Sequence, residues 1–161
     1  MTDTPDELST EELVGWRGWE VQHRRQRIRL VSLARRARST SFIWHPDRWT
    51  EAFCPLAESD SEHVAPMWDC TCGLYAARSR AVLVDEWGGF AQPSSRGDLV
   101  VMGRVGFAGK VVVSERVYRA QRGRVLQLWV PHVSWRLVEP LRLTYRVPVE
   151  LGNPFELEEE G

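Results

Sequence analysis

A chain of 161 residues with 43% hydrophobic content is the size of one domain with one core. No stretch approaches the ~18 consecutive apolar residues of a membrane span. Met1 to Glu12 carries Asp3, Asp6, Glu7, Glu11 and Glu12 with no base, which excludes a secretory signal and gives the cytoplasm as the expected location.

The net charge is only −1, but it is segregated. Nine arginines lie between Arg17 and Arg48 against Glu20 and Asp47, whereas Thr50 to Asp69 holds five acids and no base. The chain ends on Glu156, Glu158, Glu159 and Glu160. Lys110 is the only lysine, a bias that a GC-rich coding genome would also produce.

The first element pair is a hairpin. Gly15 to Val21 and Arg27 to Leu33 both alternate, and His23-Arg24-Arg25-Gln26 connects them. In the second run Ile28, Leu30 and Ser32 share one face; Arg27, Arg29, Val31 and Leu33 share the other. Arg35 to Thr40 is a polar connection. Ser41 to Cys54 holds Phe42, Trp44, Trp49 and Phe53, with Pro46 breaking any regular element, and Pro55 to Trp68 is an acidic loop.

Leu74, Ala77, Ala81 and Val84 stand at helical spacing and predict a helix from Leu74 to Trp87, stopped by Gly88-Gly89. Gln92 to Gly97 is a further loop. Leu99 to Val117 is valine-rich, with Gly103, Gly106 and Gly109 inside it, and Val125 to Val130 follows after a turn at Gln121-Arg122-Gly123. These glycines are read as places where a strand bends or another backbone approaches, since a dinucleotide-binding G-x-G-x-x-G must open a helix. Trp135, Val138, Leu141 and Tyr145 predict a short last helix despite Pro140. The expected class is α+β: a curved, barrel-like antiparallel sheet with two short helices and a zinc-stapled loop.

The staple is inferred from Cys54, His63, Cys70 and Cys72, a C-x8-H-x6-C-x-C arrangement. Three thiolates and an imidazole are a common structural zinc set. Gly73 lets the tight Cys-x-Cys turn, and the loop between Cys54 and Cys70 has few aliphatic residues to order it without an ion. Plain core thiols and a redox Cys-x-Cys pair are the alternatives; the second would close a small, strained ring. The expected layout is an acidic disordered leader at 1–13, one zinc-stabilised domain at 14–150 and an acidic tail at 151–161. No H-x-E stands with a P-C-x-x-C, so zinc deaminase chemistry is excluded.

His63-Val64-Ala65-Pro66 and Cys70-Thr71-Cys72-Gly73-Leu74-Tyr75-Ala76 resemble a motif of small actinobacterial and actinophage proteins. The resemblance extends to Gly15-Trp16-Arg17-Gly18-Trp19, to the glycine-valine run from Gly103 to Val111 and to Tyr118-Arg119-Ala120. It implies no particular activity.

Three functions are compatible with these residues. The first is a non-catalytic module in which Trp16, Arg17, Trp19, Arg24, Arg25, Arg27, Arg29, Arg35, Arg36 and Arg38 contact nucleic acid, the arginines neutralising phosphates and an exposed tryptophan stacking on a base. The second is a protein-interaction or oligomerising module in which the same arginines pair with the acids of a partner. The third is a zinc hydrolase with an open ligand position and Glu62 or Asp69 activating water. Four good ligands favour the closed site of the first two.

Overall fold

In the computed structural model, residues 13–32, 43–46, 48–54, 65–67, 70, 72–87 and 99–153 are described. His63, Glu62, Asp69, Arg35, Arg36, Arg38 and the two acidic termini (1–12 and 154–161) lie outside them, and for Arg24 only the backbone is described.

Alternation builds the first hairpin as expected. β1 (Leu13–Arg24) and β2 (Arg27–Ser32) pair antiparallel from Trp19↔Ser32 to Arg24↔Arg27. Arg25 and Gln26 close the hairpin with φ of 47° and 69°, the doubly left-handed turn that matches strand twist. Ile28 and Leu30 point into the core while Arg27 and Arg29 are exposed, so the faces divide as the sequence indicates.

Two short strands follow, β3 (Ile43–Trp44) on β2 and β4 (Thr50–Glu51) on the later β7. The predicted helix from Leu74 is corrected. Leu74–Ala77 is a strand, β5, and only Arg80–Trp87 is helical, α1. Leu74 and Ala76 are needed on the core side of a sheet, and the helical spacing across Ala77 and Ala81 is incidental. The helix begins where Ser79 Oγ accepts the Val82 N–H at 3.2 Å, a side-chain cap.

The long strands β6 (Val100–Val113) and β7 (Val117–Val130) form the spine of the sheet. Val101, Val105 and Phe107 of β6 and Ala120, Val125, Leu128 and Val130 of β7 join Trp19, Leu30, Trp44 and Leu74 in one core. Gly103 is required there: a Cβ would lie 2.1 Å from the Gln127 carbonyl oxygen. Gly109, at φ 77°, sits in the register shift between Ala108 and Val111. These glycines bend and admit backbone, as read from the sequence. On the outer side Met102 packs with Ala77 and Leu83 beneath α1, with Trp16 and Val82 against them.

β6 pairs with β1 and β7, and β5 pairs with β7 and, through Trp16↔Ala77, with β1. The hydrogen bonds therefore run in a ring through β1, β6, β7 and β5. A 3-10 turn (His132–Leu137) leads into α2 (Val138–Tyr145). Pro140 falls in the first turn of α2, where an N–H has no intrahelical partner anyway, so the proline is tolerated. β8 (Val149–Leu151) then pairs parallel to β7. The architecture is α+β with two short helices, but the sheet is mixed rather than wholly antiparallel. Among the described residues no helix is long and apolar enough to cross a membrane.

One half-buried cation, Arg17, lies against the core. The Arg17 side chain turns inward, its guanidinium carbon 4.8 Å from the Trp44 ring centre and 5.5 Å from that of Trp19. Its Nη1 donates to the Tyr75 carbonyl at 2.9 Å, and burial pulls its pKa down to about 9. No carboxylate faces it among the described residues. Replacing such a charge with an apolar chain of similar length relieves desolvation, whereas truncating it opens a cavity between two indoles. Arg17→Met is therefore expected to stay within about 1 kcal/mol of the parent or exceed it, and Arg17→Ala to lose roughly 2–4 kcal/mol. Urea unfolding of the two variants checks this ordering.

Candidate metal centre

The cysteines meet because two short strands share one edge of β7. β4 runs antiparallel along it, Thr50 opposite Gly123 and Glu51 opposite Arg122. The Ala52 N–H extends the ladder to the Gln121 carbonyl at 2.8 Å. β5 takes up the same edge from the next position, Leu74 opposite Ala120 and Tyr75 opposite Arg119. Cys54 thus leaves the end of β4 where Cys72 enters β5. Cys70 joins them in a turn closed by its own N–H on the Met67 carbonyl at 3.1 Å.

The three sulfurs lie within 4.8 Å of one another, and Cys54 Sγ and Cys70 Sγ are 3.6 Å apart. In a tetrahedron with Zn–S bonds of about 2.3 Å, ligand sulfurs stand roughly 3.8 Å apart. The trio can therefore hold a metal ion with little rearrangement. Cys72 is buried, and Cys54 and Cys70 are half-buried. Burial, with help from the neighbouring Cys70 and Cys54, pushes the Cys72 thiol up to about 11 against the lowering effect of the Met67 backbone bond.

Gly73 makes the Cys-x-Cys turn possible, as expected. Its φ is 123°, and a Cβ there would come within 3.0 Å of Pro66 and 3.2 Å of the Arg119 side chain.

Arg119 is the residue that sequence reasoning did not assign. From β7 its Nη1 donates to the carbonyls of Met67 at 3.1 Å, Cys72 at 3.0 Å and Cys70. One guanidinium so fixes the backbone on both sides of the Cys-x-Cys and brings a positive charge to a cluster of thiols. Its place in Tyr118-Arg119-Ala120 was visible in the sequence, but an arginine on an alternating strand has the appearance of a solvated side chain.

Of the arginine-tryptophan set, Arg25, Arg27 and Arg29 are exposed on the hairpin, and Arg29 Nε donates to Gln22 Oε1 at 2.9 Å. Trp16 is half-buried against Trp129, ring centres 5.2 Å apart, with the Arg80 and Arg104 guanidiniums over it. Trp19 has no exposed surface and Arg17 turns inward, so these two do not belong to an outward-facing surface. The structure thus separates the arginine hairpin from the tryptophans that flank it in sequence.

No known family model matches the chain, and neither a curated protein nor a solved structure matches it.

Proposed function

We propose that the chain is a non-catalytic binding module whose fold is stapled by zinc, with Cys54, Cys70, Cys72 and His63 as ligands. The observation that carries the reading is the sulfur trio at near-tetrahedral separation on one edge of β7. Three thiolates with one imidazole make a closed site whose contribution is to folding rather than to activating water. His63 belongs to the segment that joins Cys54 to Cys70, which suits it as the fourth ligand.

The partner-facing surface in this reading is the β1–β2 hairpin, and the partner is nucleic acid. From Val21 to Ser32 the hairpin carries His23, Arg24, Arg25, Arg27 and Arg29 and no acid. Arg27 and Arg29 project from the same strand face two residues apart. Such an array neutralises phosphates with little base reading. The competing reading is an acidic protein partner for the same arginines, with copies of this chain among the candidates.

Elemental analysis of purified protein should find close to one zinc per chain, and a well-folded sample without metal would sink the staple. Affinity for a DNA or RNA duplex should fall steeply with salt. Arg27→Ala combined with Arg29→Ala should lower the salt slope by roughly two units, at about 0.9 per lost duplex phosphate contact. Failure to bind either nucleic acid at low salt would transfer the hairpin to the protein-partner reading.

A further inference from the structure

The cysteine cluster has an asymmetry that metal binding does not require. Cys54 and Cys70 are both half-buried, with their sulfurs 3.6 Å apart and a separation of 16 positions in the chain. Cys72 is the buried member. Cys70 and Cys72 stand one residue apart in the chain with their thiols also in contact, and the carbonyls of both are held by the same Arg119 guanidinium. Joining those two would close a small strained ring and work against the clamp. Cys54 arrives from the opposite side, at the end of β4, and its thiol approaches Cys70 without that constraint.

We infer that Cys54 and Cys70 form an oxidation site: a peroxide converts this pair to a disulfide, leaving Cys72 as a thiol, and the disulfide and the metal exclude one another. The inference rests on the zinc reading only for its second part. The chemistry balances with hydrogen peroxide as the oxidant. One thiolate attacks a peroxide oxygen, the O–O bond breaks, and a sulfenic acid forms with release of hydroxide, which takes up a proton to become water. The second thiolate attacks the sulfenic sulfur, the S–S bond forms, and the sulfenic oxygen leaves as a second water. Two thiolates, one peroxide and two protons give one disulfide and two waters. Two electrons pass from the sulfurs to the peroxide oxygens. A disulfide sulfur is no longer a thiolate donor, so an ion held by the trio loses two of its ligands and is released.

The geometry assigns unequal fates to the three cysteines. Access favours Cys54 and Cys70 because both reach the surface in part, whereas Cys72 is buried. Arg119 holds the Met67, Cys70 and Cys72 carbonyls in the thiol state, so closing the remaining distance falls to Cys54.

The test uses the full chain, reduced, in two samples: as purified, with its metal content measured first, and after chelation. Each is treated with one equivalent of hydrogen peroxide, alkylated with N-ethylmaleimide and mapped by peptide mass. The expected result in the purified sample, where the turn keeps this geometry, is a Cys54–Cys70 linkage, 2 Da lighter than the dithiol, with the alkyl group on Cys72 alone; after chelation releases the turn, oxidation should be faster and less selective. Cys72→Ser should form the same linkage, and Cys54→Ser should form no intrachain disulfide. In a metal-loaded sample a chromogenic chelator should report one released ion per disulfide. A predominant Cys70–Cys72 linkage overturns the inference, as does full alkylation of all three thiols in a chain that circular dichroism shows to be folded. Absence of metal in the purified sample would count against the zinc staple alone, because a folded chain without metal still decides the pairing.

Discussion

On the zinc reading proposed above, removing the ion from purified protein will release the segment between Ala52 and Gly73 while the ring of strands survives. The two regions have different sources of order. The ring is held by a core in which Trp19, Leu30, Trp44, Val101, Val105, Leu128 and Val130 lose nearly all their exposure. The cysteine turn is held by the Ala52 and Cys70 backbone bonds and by the Arg119 clamp. Ligand linkage sets the scale: free metal at a thousand times its dissociation constant adds about 4 kcal/mol, and chelation withdraws it. Cys72→Ser and Cys70→Ser should lose a comparable amount, because a hydroxyl is a poor zinc ligand at neutral pH. Hydrogen exchange reads the division directly. The Ala52 and Cys70 amides should lose protection with chelator, whereas the Leu30 and Val105 amides should keep theirs. Protection of the Ala52 and Cys70 amides that survives chelation would mean that the turn is ordered without metal, and the structural role of the ion would fall.

How much of this was legible depends on the range of the interactions. The first hairpin was readable because alternation and an arginine-rich turn are local signals, and Arg27, Ile28, Arg29 and Leu30 alone set its faces. The bends at Gly103 and Gly109 were readable for the same reason. β5 was not. Leu74 to Ala77 is only four residues long and continues into residues at helical spacing, so nothing local separates strand from helix until Ala120 and Tyr118 pair with it. β4 and β8 are shorter still and exist through their pairing with β7. The cysteine spacing pointed to the cluster, but the reason Cys54 meets Cys72, two strands sharing one edge of β7, is a property of the fold. The inward turn of Arg17 was hidden by the same limit. An arginine between two tryptophans on an alternating strand reads as a surface residue until the indoles of Trp19 and Trp44 close over it.

Tyr145→Phe should cost far more than the loss of one hydroxyl usually does. Tyr145 ends α2, and its Oη accepts the Leu30 N–H at 2.7 Å and donates to the Trp44 carbonyl at 2.8 Å. Leu30 and Trp44 are register partners on β2 and β3, and both are fully buried. The hydroxyl therefore satisfies two backbone groups at once and fixes β3 to β2 from a residue more than 100 positions away, |i−j| being 115 and 101 for the two bonds. Without it, a donor and an acceptor are left buried, at about 1–3 kcal/mol each, so a loss of roughly 2–6 kcal/mol is expected. A direct Leu30–Trp44 bond after local collapse would instead hold the loss under about 1 kcal/mol and would overturn this account. The pH dependence gives a second readout. Burial raises the Tyr145 pKa from 10.0 to about 12, against the lowering effects of the Leu30 N–H bond and Arg29. Because the folded value lies above the unfolded one, this contribution is complete below pH 10 and declines as pH rises toward 12, where the unfolded phenol ionises first. At about 1.4 kcal/mol per unit the decline amounts to almost 3 kcal/mol. Urea unfolding at pH 8, 10 and 11.5 should therefore show the parent losing its advantage over Tyr145→Phe as the solution becomes more alkaline. A gap that stays constant across that range would mean that the hydroxyl is not the buried, doubly bonded group described.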